Sequence, residues 1–317
     1  MRAVPKRRYA GLAVAAAMVA VPLSTGPAAS AATARAELNG DWAPFSRCPV
    51  DDPAMLAADG EMLVATCVSS YSPSGSIKLG STEATTGGND MQFGVIQDTT
   101  AGTFTVVPPE GGALVGAPTE IPGGLLGLMC PDDDIPVISD LCDSITDATL
   151  NKVTATVESA GTPTEFNLTS GLVTGQQIVK LPIRIRLENP LLGSTCYIGS
   201  ESDPVVLRPQ NTTRPAVEVQ RFDADGTRNT TGAMLRFALT GNDQGDSAFA
   251  VPKATGCGPF GSLSWAVNLK TGLPSAAGNN NLVLNNASTY SGGLTAPGLV
   301  LPNAGKVLSE YWHSAAN

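Results

Sequence analysis

The 317-residue chain is 42% hydrophobic and carries 28 acidic against 19 basic side chains, a formal net charge of −9. Acidity of this kind argues against nucleic acid or anionic lipid as a partner, because binding polyanions rests on Lys and Arg. Gly (34) and Pro (24) are frequent but stay below the roughly 25–30% typical of low-complexity disorder, and the apolar content suffices for a real core.

In chain order, Arg2, Lys6, Arg7 and Arg8 precede an apolar stretch from Ala10 to about Leu23, then Gly26-Pro27 and the small-x-small site Ala29-Ser30-Ala31. This layout predicts a secretory signal peptide over 1–31, cleaved after Ala31 with Ala34 as the second site. The apolar run is shorter than the roughly 20 residues a membrane-spanning helix needs. Arg7-Arg8 lacks the flanking residues of a twin-arginine signal, so the general secretion route is expected. Removing this leader takes away four basic residues and leaves 15 basic against 28 acidic side chains, or −13. The expected mature chain, 32–317, is a single extracellular domain without a transmembrane segment.

Six cysteines follow: Cys48, Cys67, Cys130, Cys142, Cys196 and Cys257. An even count in an exported chain reads as three disulfides. A zinc site would need close Cys pairs with His, and the only His is His313. Of the fifteen possible pairings, the expectation is Cys48–Cys67, Cys130–Cys142 and Cys196–Cys257, each joining neighbours in sequence.

Period-2 alternation of β-branched and polar residues predicts strands. It is clearest at Leu181–Leu187, where leucines and isoleucines face one way and Arg184 and Arg186 the other. Val153–Val157 alternates in the same manner. Further strands are expected at Met62–Val68, Ser76–Leu79, Met91–Ile96, Thr103–Val107, Phe166–Leu168, Cys196–Ile198 and Val205–Leu207. Val217–Phe222 and Met234–Leu239 read as two arms of a hairpin around Asp225-Gly226. Helical spacing of Phe260, Leu263, Val267 and Lys270 predicts one short helix at about 262–270, with Ser262 as N-cap and Gly272 beyond its end. Ile145–Asn151 suggests a turn of helix. From Pro274 onward the chain reads as coil with one strand at Asn281–Leu284, and a loose C-terminal tail is expected from about 285. The predicted fold is all-β, a disulfide-stapled sandwich or open barrel with one short helix in its C-terminal region.

Several phrases carry a resemblance: Pro122-Gly123-Gly124-Leu125-Leu126-Gly127 leading to Cys130-Pro131; Asn189-Pro190-Leu191-Leu192-Gly193-Ser194-Thr195-Cys196-Tyr197-Ile198-Gly199-Ser200; Thr255-Gly256-Cys257-Gly258; and Gly272-Leu273-Pro274-Ser275-Ala276-Ala277-Gly278. Over about Cys48 to Gly278 the chain resembles a family of secreted proteins of Gram-positive actinobacteria that has no established activity. The resemblance implies a shared β scaffold for the Cys positions and Gly-Pro turns, and it carries over no catalytic residue.

No motif points to catalysis. A Ser or Cys nucleophile needs a base within reach, and His313 stands five residues from the end. The G-x-S-x-G elbow, the S-x-x-K pattern and the phosphate loop are missing from the sequence. Acidic clusters at Asp51-Asp52, Asp132-Asp133-Asp134, Asp223/Asp225 and Asp243/Asp246 lie among turn residues, where Asp bonds its own backbone. Asp223-Ala224-Asp225-Gly226 has the start of a calcium loop, but Met234 stands where an EF-hand requires Glu, so a plain turn is expected. The Asn-x-Ser/Thr triplets at Asn167, Asn211, Asn229 and Asn286 carry no assignment. The expected function is non-catalytic and without cofactor: binding or structure outside the cell, towards an unknown extracellular protein or cell-wall component. Two rivals are a protease inhibitor acting through the loop closed by Cys130 and Cys142, and a hydrolase built on paired carboxylates.

Overall fold

The computed structural model describes residues 37–130, 142, 148–223 and 226–316. Their frame is one large, mostly antiparallel sheet that is not closed. Its strands are β1 (Leu63–Ser72), β2 (Ser74–Leu79), β3 (Thr82–Thr86), β4 (Asn89–Asp98), β5 (Thr103–Val107), β6 (Leu114–Gly116), β7 (Thr119–Glu120), β8 (Thr154–Ser159), β9 (Leu181–Glu188), β10 (Tyr197–Ile198), β11 (Val205–Leu207), β12 (Gln210–Asn211), β13 (Ala216–Phe222), β14 (Arg228–Asn229), β15 (Met234–Asp246), β16 (Ala254–Thr255) and β17 (Asn281–Thr295). The predicted β class holds.

The alternation in β9 does what the pattern requires. Leu181, Ile183, Ile185 and Leu187 are buried, while Arg184 and Arg186 turn outward and both place Nε 3.1 Å from the carboxylate of Glu158 on the neighbouring β8. Strand β1 lacks such alternation because both of its faces are covered. Ala65 and Cys67 pack into one cluster with Trp42 and Phe45, and Val68 packs into another with Phe93 and Phe166. The expected hairpin arms pair in register from Ala216↔Thr240 to Phe222↔Met234.

Two differences concern the C-terminal third. Instead of a coil ending in a four-residue strand, β17 runs fifteen residues and pairs with β1, β2 and β15. Its small residues are what central placement demands. A Cβ at Gly292 would lie 3.2 Å from the Phe45 and Trp42 rings, and Gly293 has φ 111°. Nor is there a loose tail from about 285. Ala304–Ala315 is a helix whose Ala304, Leu308 and Tyr311 are buried against Trp42, Phe45 and Met55. Gly305 lies so close that a Cβ there would meet Met55 O at 1.9 Å, and Trp312 Nε1 donates to Phe45 O at 2.7 Å.

The expected short helix is present at Ser264–Thr271, closed by Gly272 in the left-handed conformation. Its start differs: Leu263 occupies the N-cap position, and Ser262 ends the preceding 3-10 turn Pro259–Gly261. It is accompanied by further helices that the sequence reading did not place, among them Pro53–Leu56 and Gly124–Met129. Ala148–Asn151 is helical; 145–147 lie outside the described residues.

Candidate functional site: an apolar interior between two walls of the sheet

The cysteines form three disulfides, Cys48–Cys67, Cys130–Cys142 and Cys196–Cys257, with Cα–Cα distances of 5.7, 6.1 and 4.1 Å. They fasten the segment before β1 to that strand, the end of the Gly124–Met129 helix to Cys142, and the start of β10 to the end of β16. The loop proposed for protease inhibition, 131–141, lies outside the described residues.

The remaining motif residues do not converge. His313 Nε2 is 2.9 Å from the carboxylate of Asp51, which also accepts from Ser309 Oγ; with both ring and carboxylate half exposed or more, this pair secures the C-terminal helix. The hydrogen bond from His313 holds the Asp51 carboxyl below the usual carboxylate range. Asp223 begins a turn, donating its N–H to Thr227 O and accepting from Gly226 N–H; Ala224 and Asp225 lie outside the described residues. Asp246 accepts from the N–H groups of Arg208 and Ala248, and Asp243 from that of Asn286. The carboxylates of Asp243 and Asp246 are spent on backbone donors, and that of Asp223 accepts from Asn229 Nδ2. Among the described residues no group of three or more His, Cys, Asp or Glu is placed to hold a metal ion, and no helix is long and apolar enough to cross a membrane.

What the fold does assemble is an interior space. β2 pairs with β17 and carries β3, whose one strand partner among the described residues is β2. The β2–β3 hairpin therefore forms a wall, and its tip is tied down: Ser81 N–H and Oγ donate to Thr271 O and Lys270 O, and Gly80 N–H donates to Asn280 Oδ1. Facing it stand β8 and β9. Ile77 and Leu79 project from one wall, and Val157, Ile183, Ile185 and Leu187 from the other. Between them lie two cavities of ≈ 60 and ≈ 50 Å³ that share Ile77, Thr86, Asn89 and Val157 in their linings. The first extends towards Leu181, Leu207 and Leu282, the second towards Leu128, Ile198 and Thr271.

Among the described residues, the lining contains no Asp, Glu, Lys, Arg or His. Its polar side chains are mostly committed elsewhere. Ser72 Oγ donates to Ser74 O and Asn285 O, Ser70 Oγ bonds Thr289 Oγ1, and Asn89 Nδ2 donates to Gly87 O. Thr86 Oγ1 is different: it is buried and has no hydrogen-bond partner among the described residues. Cavities of this size are smaller than the roughly 150 Å³ that admits benzene, and the described lining offers no side chain for general acid–base chemistry. Sequence reading missed this site because its residues are ordinary strand residues; each was legible as core, and only their arrangement leaves a space.

Comparison with protein-family models, with curated proteins and with solved structures yields no match.

Proposed function

We propose that this is an exported, non-catalytic protein with a binding or structural role outside the cell or at its envelope. The observation that carries the reading is the set of three disulfides stapling one large β-sheet. The two cavities, at ≈ 60 and ≈ 50 Å³, are well below the roughly 300–1,000 Å³ of a small-molecule site, so the reading places the partner on the surface. The three disulfides suit an oxidising compartment, and the basic-apolar-small leader at 1–31 supplies a route to it. The resemblance to secreted actinobacterial proteins points the same way.

The test takes mature protein from culture medium and titrates it, labelled, against envelope fragments of the producing cell. Peptidase, esterase and polysaccharide substrates are assayed in parallel with chelator present. The expected outcome is saturable binding to the fragments, with turnover no greater than that of a heat-denatured control. A lack of saturable binding would overturn the proposal. So would turnover that disappears when one Asp or Glu is changed to Ala.

A further inference from the structure

The sheet is open, and its edges differ in how they are guarded. Among the described residues, three strands of five residues or more keep an outer edge with little or no strand partner: β3, β5 and β13. Such an edge turns the N–H and C=O of alternate residues outward, where they template a further strand. β13 carries Glu218 in the middle of its free stretch Ala216–Gln220, and β14 closes its end at Arg221 and Phe222. β3 carries Glu83 and stands beside β7, with Gly87 N–H bonded to Thr119 Oγ1. β5 has neither protection. Its sequence Thr103-Phe104-Thr105-Val106-Val107 holds no charge, Gly or Pro; among the described residues it pairs with β4 alone, and Thr103, Phe104 and Thr105 are exposed. Phe104 meets Phe166 edge-on at 6.1 Å yet keeps 38% of its surface in solvent.

We infer that a second copy of this chain covers the edge, β5 pairing antiparallel with the same strand of its partner about a two-fold axis at Thr105. The strand complements itself in that register. Phe104 lies opposite the partner subunit's Val106, Thr103 opposite the partner subunit's Val107, and Thr105 opposite the partner subunit's Thr105. Aromatic–β-branched and Thr–Thr pairs of this kind favour strand pairing, and no like charges face each other. The same operation centred on the free stretch of β13 would set Glu218 against Glu218. Pro108 and Pro109 follow β5 at once and lack an N–H, so the ladder ends at Val107. Each copy spends its one unguarded edge, and the assembly closes at two chains. This partner goes beyond the envelope component proposed above and does not depend on it.

The experiment measures the mass of the full mature protein by light scattering and by sedimentation over the micromolar range. Wild type is expected at twice the mass of a single chain. Thr105→Lys sets two ammonium groups opposite each other at the axis and should raise the dimer dissociation constant roughly tenfold or more. Thr105 is exposed, so this variant should keep the fold, which circular dichroism checks. Thr105→Cys places two thiols at the axis, where facing Cα atoms of an antiparallel pair lie roughly 4.5–5.5 Å apart, within the span of a disulfide. Mild oxidation should therefore cross-link it into a dimer, whereas Phe104→Cys, whose mate lies two residues out of register, should not cross-link. The cross-link decides the matter if the Lys variant fails to fold. A wild type that stays monomeric overturns the inference, whatever other strand it binds. So does a dimer that Thr105→Lys leaves unchanged, or one that Phe104→Cys links as readily as Thr105→Cys.

Discussion

Arg47 stands next to Cys48 and ties the segment before β1 into the sheet. Its guanidinium donates to Gly112 O, Asp90 O and Ala113 O at 3.0–3.1 Å, and its Nε lies 3.5 Å from the Asp90 carboxylate. Both side chains are only 13% exposed. Removing one partner of a buried pair leaves the other charge and its carbonyls uncompensated, so Arg47→Met should cost about 3 kcal/mol in urea unfolding. Asp51 is the contrasting case. His313 and Ser309 hold its carboxyl below the ordinary value, but the side chain is 63% exposed, where such pairs contribute less than about 1 kcal/mol. A lowered folded pKa means that the contribution is present above the ordinary carboxylate value and lost as pH falls through the folded one. Asp51→Asn should therefore be slightly less stable than wild type at pH 6. The difference should vanish in acid, below the folded-state value; a gap that persists there would show that charge is not its origin.

At the scale of elements, the C-terminal helix and β17 are where sequence and structure part. The spacing of Ala304, Leu308, Tyr311 and Ala315 is helical, with three of the four buried and Ala315 packed against the same cluster. The sequence carries that spacing, although a small, polar run precedes it and the chain end is near. In β17 the sequence Asn281–Thr295 offers little β-branched or alternating content, because it lies under the Trp42–Phe45 cap and takes its stability from three neighbouring strands. β9, the β13–β15 pairing and the Ser264–Thr271 helix were legible because each carries its own periodicity and turn residues. The cavity was not, since no local pattern records a space left between strands far apart in sequence. Leu308 is 1% exposed, so Leu308→Ala should cost about 2–5 kcal/mol, measured by thermal or urea unfolding. A change near zero would restore the reading of a loose tail.

For the whole molecule, covalent constraint is the defining feature. The disulfides close stretches with sequence separations of 61, 19 and 12. On the loop-entropy account, removing them pairwise with alanine should cost about 4, 3 and 3 kcal/mol respectively, Cys196–Cys257 the most. Calorimetry of the three double variants checks that order. The functional claim is that this stapled frame serves outside the cell without catalysis. The decisive measurement is turnover by purified mature protein in chelator-containing buffer against peptidase, esterase and polysaccharide substrates. No turnover above a heat-denatured control is the predicted result; turnover that survives repurification and disappears when one Asp or Glu is changed to Ala would contradict the account.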